Sequence, residues 1–328
     1  MTFRLHLESR RAQPSCFHLD EPAWKLAAQR HPELAQRVDV SFGWDGETLS
    51  DALRAADALI ASRFDKPLVN AAPRLRWIHT TGAGVDQLLP LDDLRPDLTL
   101  SNSSGIHSDK AGESALMAML MLNARLPEVV ANQHAHAWRS ILTAPIRGKR
   151  AVIVGFGDIG QAVGRLACAV GLDVVAVNRS GQRAASAPDI PVVATAQLDT
   201  LLPDADFIVM TAPLTQETRN LLSAERLAKL RPSAGVVNMA RAALVDYAAL
   251  AGLLRDGRLG GAVLDVFDNE PLPAESPLWD VPRMIVTPHV TCDAPDYNQR
   301  VFDIWFDNFR RLQDGLPLRN RVDRVRGY

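Results

Sequence analysis

Of 328 residues, 36 are Lys or Arg and 38 are Asp or Glu, for a formal charge of −2, and 47% are hydrophobic. A chain so balanced has no basic field to gather nucleic acid or an anionic membrane surface, and it is long enough to bury two cores. Cys16, Cys168 and Cys292 are odd in number and widely spaced, so they form neither a disulfide framework nor a metal-ligand set and suit a reducing cytosol.

The opening residues, MTFRLHLESRR, lack the apolar core of a signal peptide, and the most apolar helical run, ALMAMLMLNA, is too short to span a bilayer. A soluble cytoplasmic protein is expected. Over the first hundred residues, FRLHL, RVDVSF, DALIAS, LRWIHTT and LTLSN read as strands, with EPAWKLAAQR and GETLSDALRAA helical between them. Short apolar runs alternating with amphipathic segments indicate βαβ units and a parallel sheet. A long helical segment is expected over 109–138. It is apolar nearly all round between Ala115 and Leu122 and therefore buried, with Met117, Met119 and Met121 filling gaps.

A second alternating series opens at KRAVIVGFGDIG. Its strands are AVIV, DVVAV, FIVMT, GVVNM, AVLDV and MIVT, and an amphipathic helix, YNQRVFDIWFDNFRRLQDG, follows. The basic stretch RNRVDRVRGY is interrupted by Asp323 and reads as a solvated tail. The pattern predicts an α/β protein of two doubly wound parallel-sheet lobes with a cleft between them. Ligands of such sheets bind beyond the carboxyl ends of the strands.

Gly155, Gly157 and Gly160 spell G-x-G-x-x-G between the strand AVIV and the helix DIGQAVGRLACAVG, the context in which that pattern binds a dinucleotide. Gly155 permits the tight turn, Gly157 lets backbone approach a pyrophosphate, and Gly160 allows helix to pack on strand. Asp158 and Ile159 open the helix whose free N–H groups face the phosphates. The next strand, VVAVNRS, ends in Asn178, Arg179 and Ser180 where an acid would grip a ribose 2′-OH. Asn178 brings no repulsion, Arg179 can fork onto a 2′-phosphate and Ser180 can add a hydrogen bond, so NADP(H) is expected in preference to NAD(H).

Three further stretches, NMARAALVD at 238–246, LDVFDNEPLP at 264–273 and TPHV at 287–290, resemble in order and spacing the D-isomer-specific 2-hydroxyacid dehydrogenases. TTGAGVDQLL and TAPLTQETRNLL resemble other segments of that family, so the likeness covers nearly the whole chain, with a finer likeness to its glyoxylate/hydroxypyruvate reductase branch. The resemblance implies a flavodoxin-like substrate lobe made of residues 1–103 plus 294–328, and a Rossmann cofactor lobe, 104–293, inserted between them. Two chain crossings would form a hinge whose closure excludes water. It further implies a homodimer built on the methionine-rich helix, a small 2-oxo acid or 2-hydroxy acid as substrate, and no metal. Trp138 is similar to an aromatic that, in related reductases, approaches the partner's substrate site.

The family's catalytic trio carries over onto Arg241, Glu270 and His289. The planar fork of Arg241 suits a carboxylate beside a ketone. His289 can give a proton to the ketone oxygen, and Glu270 can orient the ring and supply the negative charge that complements an imidazolium. Backbone N–H groups of Ala83 and Gly84 are expected to join Arg241 in binding the substrate carboxylate. Asp265 and the Ala240 carbonyl would accept from the nicotinamide amide, and Pro213 would line the cofactor site. Ala242 departs from the family's usual glycine and puts the placing of Arg241 in question. A dinucleotide-sensing scaffold of the same fold, acting without catalysis, is the alternative function. Formate dehydrogenase, which shares the fold, is disfavoured because that branch pairs its histidine with glutamine where this chain has Glu270.

Overall fold

A computed structural model describes residues 2–183 and 189–327. The chain folds as two compact units, residues 1–106 with 294–328, and residues 107–293.

The first unit holds strands β1 (Phe3–Ser9), β2 (Val38–Trp44), β3 (Ala58–Ala61), β4 (Trp77–Thr80) and β5 (Thr99–Ser101), all parallel in the order β2-β1-β3-β4-β5. β3 and β4 are buried at every residue, as strands covered on both faces must be. The helix Glu21–Arg30 starts where Asp20 accepts from the Ala23 N–H. The helix Tyr297–Gln313 returns to this unit and buries Val301, Phe302, Trp305, Phe306 and Phe309, each contributing roughly 1.5–3 kcal/mol. Trp305 stacks on Trp77 of β4. With Phe3 of β1 set against Trp305 and Phe309, this contact ties the helix to the sheet.

The basic tail is solvated only in part, with Arg319, Arg321, Val325 and Arg326 exposed. Val322 is buried and donates to Leu100, residue 321 bridges to Ser101, and Arg324 donates to the carbonyls of Leu94, Arg95 and Leu98. The tail supplies partners to the outer edge of β5, groups that an edge strand otherwise leaves unpaired.

The second unit holds β6 (Arg150–Val154), β7 (Asp173–Asn178), β8 (Val192–Ala194), β9 (Phe207–Met210), β10 (Gly235–Asn238), β11 (Gly261–Leu264) and β12 (Met284–Val286). They lie parallel in the order β12-β11-β10-β9-β6-β7-β8, so the chain reverses its winding at β6, between β7 and β9. β8 is a three-residue edge strand whose shortness hid it in the sequence. The helix Ser108–Asn123 packs on this sheet, where Gly235 and Gly261 make room for Leu122; a Cβ on either would lie 2.8 Å from that side chain.

The expected 109–138 helix is broken. A first piece ends at Asn123, Arg125 takes a φ of +52°, and a second runs Leu126–His134 at 63° to the first. The first piece is not buried all round either. Ala115, Ala118, Met119 and Leu122 are covered, but Met117 and Leu120 are exposed, as are Val129 and Val130 beyond the break. Only one stripe of a helix can meet one sheet, whatever the far side carries. No single helix among the described residues is long and apolar enough to cross a membrane.

Candidate active site

The parallel register aligns Val177, Val154, Met210, Asn238, Leu264 and Val286 across six neighbouring strands at the carboxyl edge of the second sheet. Every candidate residue of this unit lies just past that line. The sequence spreads them from 155 to 289, and the sheet gathers them.

Gly155 sits at φ +104° and donates to the Val177 carbonyl. A Cβ there would lie 2.6 Å from Ala212 Cα, and one at Gly160 would run into the Gly155 carbonyl, so only glycine builds this turn. Gly157 differs: a Cβ would meet no atom of the chain within 4 Å. Gly157 is also the N-cap of the helix Asp158–Ala169 and brings no side-chain cap to its first turn, where Asp158, Ile159 and Gly160 present backbone N–H groups. A backbone open at its second glycine and uncapped at the helix start fits the pyrophosphate of a dinucleotide.

The end of β7 is organised by Asn178 itself. Its Oδ1 accepts from the N–H groups of Ser180 and Gly181, and its Nδ2 donates to Gln182. Asn178 thus closes a turn. Ser180 Oγ accepts from Gln182 N–H, and Arg179 points outward, exposed. Across the β6 turn, Pro213 is exposed in a loop closed by Thr215 and Thr218. The Glu217 carboxyl there lies below its ordinary range through the Thr215 hydroxyl and its own backbone N–H, with the Arg179 charge adding to the effect.

The catalytic candidates leave three adjacent strands: Arg241 from β10, Glu270 from β11 and His289 from β12. His289 Nδ1 lies 2.7 Å from Glu270 Oε2, and both side chains are partly exposed. Because a carboxylate only accepts, Nδ1 carries the hydrogen. Glu270 is held in turn by the Phe267 N–H at 2.9 Å. Arg241 Nη1 donates to the Ala240 carbonyl at 2.8 Å, the atom expected to serve a nicotinamide amide. Ala242 opens a short turn over Ala242–Leu244, is buried, and is absent from the residues with positive φ, so its methyl is accommodated.

Asp265 has a role that sequence reasoning missed. Its side chain belongs to a residue only 1% exposed, and it accepts from Thr287 Oγ1 at 2.6 Å, Val290 N at 3.0 Å, Thr291 N at 3.2 Å and Thr291 Oγ1 at 2.5 Å. These donors bracket His289, which sits at φ +55°, a left-handed conformation costing a non-glycine residue about 1–2 kcal/mol. The buried carboxylate holds that loop shut over the strain. Two hydroxyls at i−2 and i+2 around a histidine were the available signal. Asn238 is a second unforeseen hub: Nδ2 donates to the Arg241 carbonyl and to Tyr247 Oη, Oδ1 accepts from Ala240 N–H, and Tyr247 donates onward to Val266. It ties the arginine loop to the strand beside it.

Burial pushes the Cys292 thiol up to about 11, against which the Thr291 hydroxyl and Arg241 work only weakly. That removes the thiolate needed for a nucleophile. His107 Nδ1 donates to the Cys292 carbonyl, joining the two ends of this unit. Among the described residues, no group of three His, Cys, Asp or Glu is placed to hold a metal.

In the first unit, the loop after β4 carries Ala83 and Gly84. Its carbonyls are pinned: Thr81 accepts from Tyr297 Oη, Gly82 from Ser103 N–H and Thr80 Oγ1, and Ala83 from Asn102 Nδ2. The N–H groups of Ala83 and Gly84 donate to nothing among the described residues. Two such neighbouring N–H groups make an anion-binding concavity. Beneath it His79, fully buried between Ser101 and Ser103, is held neutral, its pKa lowered by burial to about 3.

A family model described as the NAD binding domain of D-isomer specific 2-hydroxyacid dehydrogenases matches residues 116–291. D-3-phosphoglycerate dehydrogenase of Mycobacterium tuberculosis is 37% identical over 286 residues, 83% of this chain and 53% of that protein, so the chain spans about half the length of these relatives. Glyoxylate/hydroxypyruvate reductase B of Pectobacterium carotovorum is 34% identical over 73% of this chain and 77% of its own. Among solved structures, a D-isomer specific 2-hydroxyacid dehydrogenase from Xanthobacter autotrophicus in complex with NADPH and MES superposes with a TM-score of 0.84 at 29% identity, covering both chains completely.

Proposed function

The chain belongs to the D-isomer specific 2-hydroxyacid dehydrogenase family, and from that premise we propose that it reduces a small 2-oxo acid to the D-2-hydroxy acid with NADPH, glyoxylate and hydroxypyruvate being the first substrates to try. The observation that carries this reading is the His289–Glu270 pair at 2.7 Å, set at the carboxyl edge of a sheet whose glycine turn fits a dinucleotide.

When bound, the nicotinamide cofactor supplies the hydride. The chain does the rest. Arg241, with the N–H groups of Ala83 and Gly84, takes the substrate carboxylate and aligns the ketone. Glu270 accepts from Nδ1, so Nε2 of His289 is the nitrogen that delivers the proton to the ketone oxygen and reclaims it in the reverse direction. Asp265 and Asn238 set the two loops from which these groups act. In this reading residues 1–103 with 294–328 handle the substrate, and 104–293 the cofactor.

The preference for NADPH rests on exposed Arg179 beside a turn with no acid, and it is supported by the NADPH bound to the Xanthobacter relative. The exposed Met117, Leu120, Val129 and Val130, with fully exposed Trp138, support a homodimer through that face. Sedimentation of wild type against Met117→Glu tests the pairing.

Initial rates at 340 nm with glyoxylate and hydroxypyruvate, NADPH against NADH, for wild type and Arg179→Ala, test the rest. An NADPH preference that collapses in the variant supports both cofactor and reaction. An NADH preference removes the cofactor assignment and leaves the reaction. Cofactor binding without turnover on any 2-oxo acid favours the non-catalytic scaffold.

A further inference from the structure

Tyr247 opens the helix Tyr247–Arg255, whose first turn is capped by Asp246 at the Ala249 N–H. That start sets its ring edge-on to Phe267, with centroids 6.2 Å apart, and its hydroxyl between two neighbouring loops. Oη lies 2.8 Å from the Val266 carbonyl and 2.9 Å from Asn238 Nδ2. A carbonyl only accepts, so the hydroxyl donates to Val266, and Asn238 must then donate to the hydroxyl. This fixes the Asn238 amide: Nδ2 serves Tyr247 and the Arg241 carbonyl, and Oδ1 takes the Ala240 N–H at 3.2 Å.

The Val266 carbonyl and the Phe267 N–H belong to one peptide unit. That unit is rigid and planar, so a bond that pins its oxygen also aims its hydrogen. The hydrogen is aimed at Glu270 Oε1, 2.9 Å away, and Oε2 of the same carboxylate holds His289 Nδ1 at 2.7 Å. Val266 and Phe267 are both buried, so water does not readily replace a lost donor. Burial pushes the Tyr247 hydroxyl above its ordinary range; Asn238 opposes this, and the charges of Asp268, Asp265 and Glu270 add to it. The hydroxyl therefore keeps its proton and stays a donor at any working pH.

We propose that Tyr247 is a positioning residue for proton transfer: its hydroxyl orients the Val266–Phe267 peptide, and that peptide orients Glu270 and with it His289. The inference rests on the 2-oxo acid reading, in which His289 delivers the proton. The two partners of the hydroxyl divide the effect of losing it. Arg241 keeps its bond from Asn238 when the phenol is gone, whereas Val266 loses its donor at 2.8 Å. The loss therefore falls on kcat rather than on KM.

The test compares wild type with Tyr247→Phe, Asn238→Ala, Glu270→Ala and the double variant Tyr247→Phe/Glu270→Ala, using NADPH and whichever 2-oxo acid turns over best. Tyr247→Phe keeps the ring against Phe267 and removes one oxygen. It should lower kcat about tenfold, part of the roughly 10²–10⁴ lost when proton transfer fails altogether, and leave KM within about twofold. In the Glu270→Ala background the same change should cost no further kcat, because the group it positions is already gone. Asn238→Ala should raise KM more than it lowers kcat. An unchanged kcat in Tyr247→Phe, or the same loss in both backgrounds, overturns the proposal while leaving the reductase standing. A second reading needs no turnover. The low-field Nδ1–H proton resonance of His289, identified by its absence in His289→Gln, should be lost or broadened in Tyr247→Phe and kept in Asn238→Ala, where the phenol still has Val266. If wild type reduces no 2-oxo acid, the parent reading falls and this resonance alone decides Tyr247; a signal unchanged in Tyr247→Phe overturns the positioning. Should Tyr247→Phe be recovered unfolded, the signal in Asn238→Ala decides: its retention supports the assignment to Tyr247, and its loss overturns it.

Discussion

Replacing Asp265 by Asn tests whether this buried carboxylate positions the histidine loop or reads the cofactor. The side chain has four donors on two oxygens: Thr287 Oγ1 and Val290 N on one, Thr291 N and Oγ1 on the other. An Asn amide accepts on one side only. The threonine hydroxyls can rotate to accept, but a backbone N–H cannot, so either rotamer orphans Val290 or Thr291. An orphaned buried donor costs about 1–3 kcal/mol, which for a unit of this size lowers the apparent Tm by about 2–12 °C. The same loss weakens the hold on His289, whose φ of +55° stores about 1–2 kcal/mol that a loosened loop would release. Complete loss of proton transfer costs roughly 10²–10⁴ in rate, so a displaced but present His289 should lower kcat by about tenfold to a hundredfold. Differential scanning calorimetry, NADPH titration by fluorescence and steady-state kinetics read the three effects separately. The positioning argument requires lower Tm and kcat with NADPH affinity kept. A tenfold loss of NADPH affinity at unchanged Tm would refute it and return Asp265 to the nicotinamide amide.

Three further outcomes follow from the geometry. Gly155→Ala should unfold or strongly destabilise the second unit, because its methyl meets Ala212 backbone at a φ of +104°, whereas Gly157→Ala, with open space around it, should keep its Tm and raise the NADPH KM; equal thermal losses in the two would contradict the cradle. Cys292 should resist iodoacetamide at pH 8 in the native protein, since with its thiol pushed up to about 11 only about one in a thousand is thiolate; peptide mapping that finds it labelled stoichiometrically within minutes would show the burial is wrong. His79 has a pKa of about 3 folded against an ordinary 6.5, so between those values the unfolded chain binds a proton that the folded chain does not. The stability present above pH 6.5 is therefore lost as pH falls toward 3. The urea midpoint should fall less between pH 7.5 and 5 in His79→Gln than in wild type, and parallel declines would exclude His79 as the cause.

What could be read directly from the sequence was what local chemistry decides. Gly155 and Gly160 announce a turn because no side chain fits at either, Gly157 an open approach to the helix start, and the apolar runs announce parallel strands because both faces must be covered. The types and spacing of Arg241, Glu270 and His289 marked the carbonyl chemistry, since only certain groups bind a carboxylate or move a proton. What could not be read depended on which distant groups meet. Asp265 was read as a cofactor ligand, and its hold on Thr287 and Thr291, over twenty residues away, was not visible in the chain order. Asn178 was judged by its missing charge, but its amide serves its own turn. The basic tail looked solvated because its charges were visible and the carbonyls of residues 94, 95 and 98 that receive Arg324 were not. The far side of the helix Ser108–Asn123 looked buried because hydropathy does not say how many faces find a neighbour. Propensity, turn chemistry and residue type are short-range and are written in the chain order. Hydrogen-bond occupancy and burial are long-range, and they exist only once the parallel register has brought six strand ends to one edge.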